Sequence, residues 1–442
     1  MAHVPTARTV AADVLVRVTR DGAFAAAALD AELDRAIQLE ARDRGLATEL
    51  VYGSLRYVRW LEERVARHAP RGIGGLDPHV RAHLVVAAYQ LLVLTRVPAF
   101  AVVSEAVDAV RARSGAKVAG FANAVLRKIS REPKPDPAEL ERAALASIEP
   151  SLRSAIVRSI GEPAALRLVA SHDAPPPIGL RIEDAGARDT WLARFREARP
   201  NASFEPGRVS PHAVLARGAG RVVDLPGYAD GAWTPQEEGS QVVALALGAR
   251  EGDLVLDACA GRGNKTGLLA RAVGPGGAVD AADLHGKKLE TLRRELARIG
   301  RAPRATHPVD WSVGDGGIAP GYDRVLIDAP CSGTGTMRRR PELLLRRAAG
   351  DLSALAALQR TILGRASALV KPGGVLVYAV CSVLREEAEE VVAVADELGL
   401  VPAAFDADPV RSLAEGDRSS LRLLPHVHGT DGYYLAAFVK RP

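Results

Sequence analysis

From Ala7 to Ser130 apolar residues return at three- and four-residue steps: "ARTVAADVLVRVTR", "ATELVYGSLRYVRWLEERVARHA", "VRAHLVVAAYQLLVLTRV" and "VVSEAVDAVRAR" each carry one hydrophobic stripe. That period places the stripe on one helix face, so residues 1–131 are expected to form an all-helical domain. The pattern stops at "REPKPDPAEL", where Pro133, Pro135 and Pro137 alternate. Proline lacks the amide hydrogen that a helix interior needs, which predicts a linker there. Residues 132–232 then mix helical "LRSAIVRSI", "AALRLVASH" and "TWLARFREA" with strand-like "APPPIGLRIE", "AVLARG" and "RVVDLPGY", the pattern of a small α+β segment.

From residue 233 the pattern changes again. In "WTPQEEGSQVVALALGA", Thr234 is placed to cap a helix, with Pro235 as its first residue and Glu237 three positions after the cap, the spacing of a capping box. Beyond it the strand-like runs "DLVLDA", "GAVDAAD", "RATHPVD", "DRVLIDAP", "GGVLVYAVC", "LVPAAF" and "GYYLAAFVK" alternate with amphipathic stretches such as "KKLETLRRELARIG". Such alternation predicts an α/β domain over 233–442, a Rossmann-like doubly wound sheet whose ligands lie beyond the carboxyl ends of its strands.

Composition narrows the class. A chain of 442 residues, 48% hydrophobic, is long enough for more than one core. Its three cysteines, Cys259, Cys331 and Cys381, form no CxxC pair and no Cys/His cluster, which excludes a disulfide framework and a zinc site and suits a reducing compartment. His426 and His428 have no further ligands beside them in sequence, so no metal is expected. The first residues carry no signal-peptide core and no window of 18 uncharged apolar residues follows, so a cytoplasmic protein without membrane contact is expected. Residues 1–131 hold 19 Lys and Arg against 13 Asp and Glu, a balance of +6 in a chain whose total is +5. A basic first domain suits a polyanion, and ordinary solvated helix faces suit it equally.

The chemistry is carried by strand ends. The run "DACAGRGNKTGLLARA" makes a glycine-containing turn, Cys259, Ala260, Gly261, Arg262, Gly263, Asn264 and Lys265, that opens a helix, and Asp283 ends the next strand 20 residues after Gly263. Backbone N–H groups at such a helix start approach an anionic group, and an acid at the second strand end accepts from ribose hydroxyls. The turn lacks the full GxGxxG, so a nucleoside cofactor stands beside the alternative of an ordinary α/β turn. Asp310 ends a third strand, where it could accept from an adenine amino group. Asp328 and Cys331 follow the fourth strand and Cys381 ends the fifth. Buried cysteines are commonly small hydrophobes, yet each of these is followed by turn residues.

These residues resemble the RNA 5-methylcytosine methyltransferases of the RsmB/Nop/Sun group, whose methyl donor is S-adenosylmethionine. "TPQEEGS" (234–240), "DAPCSGTG" (328–335), "RRRPELLLRR" (338–347), "YAVCS" (378–382) and "LPHVHGTDGYYLAAFVK" (424–440) carry the resemblance over about residues 230–442, and residues 7–130 are similar to NusB-type helical RNA-binding domains. Two departures stand out: the group's Ala-Pro-Gly-Gly-Lys-Thr turn is Gly261, Arg262, Gly263, Asn264, Lys265 and Thr266 here, and the usual Thr before the nucleophile is Val380.

The resemblance implies a Rossmann-like methyltransferase domain of seven strands, a small-subunit ribosomal RNA substrate, a monomer that binds neither DNA nor membrane, and methylation of cytosine C5. Cysteine chemistry suits that reaction, because a thiolate added to C6 loads electron density onto C5. By resemblance Cys381 is the nucleophile and Cys331 assists release, with Asp328 on the N3/N4 edge of the base and Lys265 near the reacting centre. DNA cytosine methyltransferases use a Pro-Cys nucleophile, so Pro330 and Cys331 offer a competing assignment; the resemblance favours Cys381. The target base must be unpaired or flipped out. Five arginines within 338–347 could hold phosphates or form a solvated face. Competing functions are the same chemistry on transfer RNA and a non-catalytic NusB-type RNA-binding factor.

Overall fold

The computed structural model describes residues 5–70, 72–171, 175–346, 349–406, 408–415 and 418–442. They divide into two compact units, one holding the residues up to Ser171 together with a later segment from Met337, the other holding the remainder.

The first unit is helical: α1 (Ala7–Thr19), α2 (Ala25–Arg35), α3 (Ala41–Arg56), α4 (Val58–His68), α5 (Pro78–Leu92), α6 (Ala99–Ile129), α7 (Pro137–Ser147), α8 (Pro150–Ile160) and α9 (Glu162–Ala170). Local chemistry sets the starts. Thr6 and Thr9 exchange side-chain and backbone hydrogen bonds at the head of α1, and Asp77, ahead of Pro78, accepts from the amides of His79 and Val80. Helix α5 is buried all round, from Ala82 through Leu92, and packs against α1, α3, α4 and α6, so it forms the centre of this unit. Helix α6 breaks its helical path at Gly115, whose φ is 81°.

The proline-rich stretch expected to be a linker is shorter than its sequence suggests. Helix α6 ends at Ile129, and Pro137 opens α7 behind Asp136, whose carboxylate accepts from the Glu139 amide. A proline at the first helical position costs no hydrogen bond. Helices α7 to α9 therefore belong with the helical unit. Residues from Met337 join it too: Met337, Leu343 and Leu344 are buried, and the Leu344 carbonyl accepts from the Glu149 amide at 3.0 Å.

The second unit carries two sheets. Strands β1 (Ile178–Ile182), β2 (Ser203–Pro206), β3 (Ala213–Arg217) and β4 (Trp233–Pro235), with α10 (Arg188–Ala198), form a small antiparallel sheet in the order β2-β3-β1-β4. Thr234 and Pro235 lie in β4, opposite Arg181 and Leu180, so Thr234 does not cap a helix. Helix α11 (Glu238–Ala246) starts three residues later, and Glu237 is its cap, accepting from the Ser240 amide at 3.0 Å. The strand pairing offered by β1 outweighs the local capping pattern.

The large sheet contains β5 (Leu254–Asp257), β6 (Ala278–Asp283), β7 (Ala305–Pro308), β8 (Tyr322–Asp328), β9 (Val370–Val380), β10 (Leu400–Pro402), β11 (Ser420–Leu423) and β12 (Tyr433–Lys440), in the order β10-β12-β9-β8-β5-β6-β7 with β11 paired to β12. Seven strands make its path and β11 adds an eighth. Strands β5 to β9 run parallel, and β12 is antiparallel to β9. Successive residues bury opposite faces: Leu256, Ile327 and Tyr378 pack with Ile362 and Leu363 of the long helix Ala349–Ser367, while Val255, Leu326 and Val377 pack with Val243 and Leu269 of α11 and of α12 (Asn264–Ala272). The chain runs from β5 outward through β6 and β7, with α13 (Gly286–Arg298) between those two, then returns to the other side of β5 as β8. That reversal opens a crevice at the carboxyl ends of β5 and β8.

Candidate active site

The turn after β5 is shaped by glycine. Gly261 and Gly263 have φ values of 57° and 91°, and a Cβ on Gly263 would lie 2.7 Å from Leu292 Cγ of α13. Only glycine accepts both the backbone angle and the close approach. A Cβ on Gly261 would meet open space, so bare backbone there borders room for a ligand. Asp283, at the end of β6, takes the Gly261 amide on Oδ2 at 3.0 Å and the His285 amide on Oδ1 at 2.8 Å. Each oxygen keeps a further lone pair for a ligand hydroxyl. The loop after β7 is tied to the same turn by the buried Trp311, whose Nε1–H donates to the Ala258 carbonyl at 2.7 Å. Asp310, just before it, is exposed, and its Oδ1 accepts from the amide and hydroxyl of Ser312, which lowers its pKa. Cys259 is half-buried with its thiol pKa pushed up by burial, and Arg262 and Asn264 are exposed.

Sequence reading passed over Asp257 and gave Thr266 no role. Asp257 ends β5 fully buried, and its Oδ2 accepts from Thr266 Oγ1 at 2.7 Å, which locks the first turn of α12 to the strand end. Burial raises its pKa to about 6. An aspartate closing a strand with a threonine nine residues on, one turn into the next helix, was the available signal.

One residue before Thr266, Lys265 reaches across to Asp328 at the end of β8, with Nζ 2.5 Å from Oδ2. Burial opposes the ammonium charge, but the neighbouring carboxylate outweighs it and raises the Lys265 pKa. The pair therefore brings together two groups that lie 63 residues apart. Past Asp328 the loop turns Cys331 toward Cys381, just beyond β9, and their sulfurs lie 3.3 Å apart. That contact with Cys381, and then burial, push the Cys331 thiol pKa well above its usual value. Either sulfur can donate to the other across this contact.

Each of these cysteines is followed by a serine, and the serines share one partner. The buried Glu387 accepts from the Ser332 amide at 2.7 Å on Oε1, and from the hydroxyls of Ser332 at 2.5 Å and Ser382 at 2.6 Å on Oε2. Gln359 Nε2 donates to Glu387 Oε1 at 3.1 Å and to the Pro330 carbonyl at 2.9 Å. Thr334 Oγ1 lies 3.0 Å from Ser382 Oγ and accepts from the Val383 amide at 3.1 Å. Sequence reading missed Glu387, because "REEAEE" looks like a solvated acidic run.

The "TPQEEGS" segment holds loops around this site. Glu238, buried, accepts the amides of Val209 and Ser210 at 2.6 and 2.9 Å, and Glu237 accepts the Asp431 amide at 2.9 Å. Arg181 of β1, 1% exposed, pairs with Glu183, donates to Gln236 at 2.6 Å and to the carbonyl of Asn264 at the start of α12. The arginine run at 338–347 is built into the helical unit: Arg338 is buried, and the Arg340 guanidinium lies 5.3 Å from the Phe24 ring centroid. Arg347 lies outside the described residues. Among the described residues no cluster of three or more His, Cys, Asp and Glu is placed to hold a metal, and no helix is long and apolar enough to cross a membrane.

The chain is similar to known proteins along its whole length. The family model for the 16S rRNA methyltransferase RsmB/F matches residues 244–439, and that of the NusB family matches residues 5–131. The ribosomal RNA small subunit methyltransferase B of Pseudomonas putida is 33% identical over 98% of both chains, and that of Vibrio vulnificus is 31% identical over 98% of this chain and 99% of its own. Among solved structures, PH0851 is similar over 99% of each chain with a TM-score of 0.78 at 23% identity. A methyltransferase homologue from Pyrococcus horikoshii matches 70% of this chain and all of its own, with a TM-score of 0.55 at 25% identity.

Proposed function

Because the chain belongs to the RsmB/F family of 16S rRNA methyltransferases, with a NusB-family domain in front, we propose that it methylates C5 of a cytosine in small-subunit ribosomal RNA through a covalent adduct with Cys381. The observation that carries this reading is the 3.3 Å approach of Cys331 and Cys381, delivered by adjacent parallel strands to the crevice beside the glycine turn. A binding factor has no use for two such thiols.

The roles follow from the surroundings. Cys381 adds its sulfur to C6 of the flipped cytosine, a step that turns an unreactive ring into one with a nucleophilic C5. Asp328 holds the N3/N4 edge of the base and Lys265, paired to it, steadies the charge that builds on the ring. S-Adenosylmethionine, when bound, supplies the electrophilic methyl group that the activated C5 takes up. The open backbone at Gly261 and the carboxylates of Asp283 and Asp310 fit its nucleoside, with Cys259, Ala260, Arg262, Gly263 and Asn264 completing the turn beneath it. After methyl transfer the C5 proton passes to a base and the C6–S bond breaks, returning the electron pair to Cys381 as its thiolate; Cys331, 3.3 Å away, assists that departure. The helical unit contains no cysteine and contributes RNA affinity.

Bisulfite sequencing of ribosomal and transfer RNA from cells lacking the gene tests the assignment. One 16S cytosine should lose protection from deamination. Loss confined to transfer RNA would move the substrate, and no loss anywhere would leave only a binding role.

A further inference from the structure

The four donors that converge on Glu387 raise a question that the reaction itself does not answer. The carboxylate is completely buried, and among the described residues no cation pairs with it. A charge removed from water in this way is costly unless every lone pair direction is used. Here the lone pairs are taken by one amide, two hydroxyls and one side-chain amide from three separate elements: the loop after β8, the loop after β9 and the long helix Ala349–Ser367. An ionised carboxylate only accepts, so it forces both serine hydroxyls to point inward.

The consequence differs for the two thiols. Cys331 has both flanking peptide groups held, because Gln359 grips the Pro330 carbonyl on one side and Glu387 grips the Ser332 amide on the other. Gln359 is itself bonded to Glu387, so one carboxylate governs both grips. Cys381 follows directly on Val380, the last residue of β9, which pairs with Tyr434, and the Cys381 carbonyl accepts from the Gly335 amide at 3.0 Å, so its backbone is held by contacts that do not involve Glu387. Removing the charge would therefore loosen Cys331 more than Cys381.

We propose that Glu387 is a positioning residue, which holds the Cys331 thiol against Cys381 by fixing the peptide groups on either side of it. This rests on the two-thiol reading above. It adds that the acid in the "REEAEE" run serves the release step without touching substrate.

The test compares Glu387→Gln, which keeps the shape and removes the charge, with Glu387→Ala. Iodoacetamide labelling of each cysteine, followed by mass spectrometry in the absence of RNA, reads the thiol's freedom directly. Cys331 should label at least about fivefold faster in Glu387→Gln, while Cys259 on the cofactor turn keeps its wild-type rate. Equal acceleration at all three cysteines would show general loosening and overturn the proposal, as would no change at Cys331. Single-turnover assays then read function: methyl transfer should continue in Glu387→Gln while release of the RNA slows about tenfold, with S-adenosylmethionine affinity unchanged. Normal release would sink the proposal even where Cys331→Ala traps its RNA. If Cys331→Ala itself fails to trap RNA, the two-thiol reading falls, and the labelling ratio still decides whether Glu387 positions Cys331. Should Glu387→Ala fail to fold, Glu387→Gln alone decides.

Discussion

Lys265 Nζ lies 2.5 Å from Asp328 Oδ2, an ion pair that joins the first turn of α12 to the end of β8 with both side chains mostly shielded from water. Breaking it from one side leaves the other charge in a poor environment. Lys265→Met should lower stability by about 1–3 kcal/mol, below the range of a fully buried pair because both partners keep some exposure. The raised Lys265 pKa sets the sign with pH: the contribution is complete below the unfolded lysine value of about 10.4 and fades as pH climbs past it. Urea midpoints of wild type and Lys265→Met should thus converge above about pH 10.5, and parallel curves would show that the pair contributes nothing.

Asp257 makes a prediction of the same sign, in the acid range. Its pKa in the folded chain is about 6, raised by burial from the ordinary value of 3.8, so the folded state binds the proton more tightly than the unfolded one. Stability contributed at this site is greatest below about pH 4 and falls as pH rises through about 6, by roughly 3 kcal/mol over the whole window. Asp257→Asn keeps an acceptor for the Thr266 hydroxyl and has no charge to bury. The difference in unfolding free energy between variant and wild type should therefore grow in the variant's favour from about pH 4 to about pH 7. A constant difference would mean that Asp257 stays ionised at no cost.

The cofactor site should depend on Asp283. Its Oδ2 takes the Gly261 amide, and a bound ribose would share the same carboxylate. Asp283→Ala should weaken S-adenosylmethionine binding by about 1.5–3 kcal/mol in calorimetry, the range for charge-assisted hydrogen bonds. Unchanged affinity would remove Asp283 from the site.

The two thiols separate by step. If Cys381 is the nucleophile, Cys381→Ala should form no adduct with C6 and lose turnover while cofactor and RNA still bind. Cys331→Ala should attack and transfer methyl yet release slowly, accumulating a protein–RNA species that survives denaturing electrophoresis. The reverse pattern would make Cys331, behind Pro330, the nucleophile.

RNA affinity from the helical unit is better tested by charge than by deletion, because Met337, Leu343 and Leu344 are buried within that unit and removing residues 1–131 would expose them. Arg111, Arg127 and Arg131 line an open groove of about 720 Å³ between the two halves of α6. Replacing all three with glutamate should weaken RNA binding and make its dependence on log salt shallower, by about 0.7–0.9 for each phosphate that is no longer neutralised. An unaltered slope would place the RNA elsewhere.

The sequence alone determined the features that are written in neighbouring residues. The helical stripes of the first domain, the alternation behind β5 to β10 and β12, the glycine turn and the position of all three cysteines near strand ends are local, because side-chain period and backbone freedom are properties of a few consecutive residues, whereas β11 was not read from the sequence. Tertiary structure decided whatever depended on a distant partner. Thr234 had a cap's spacing, but Arg181, 53 positions earlier, offered it a strand. Glu387 sat in an apparently solvated acidic run, but the parallel pairing of β8 with β9 brought Ser332 and Ser382 to it and left no water for its charge. A hydrogen bond is satisfied by whichever donor the packed chain brings within about 3 Å, and sequence spacing does not specify that neighbour until the sheet has formed.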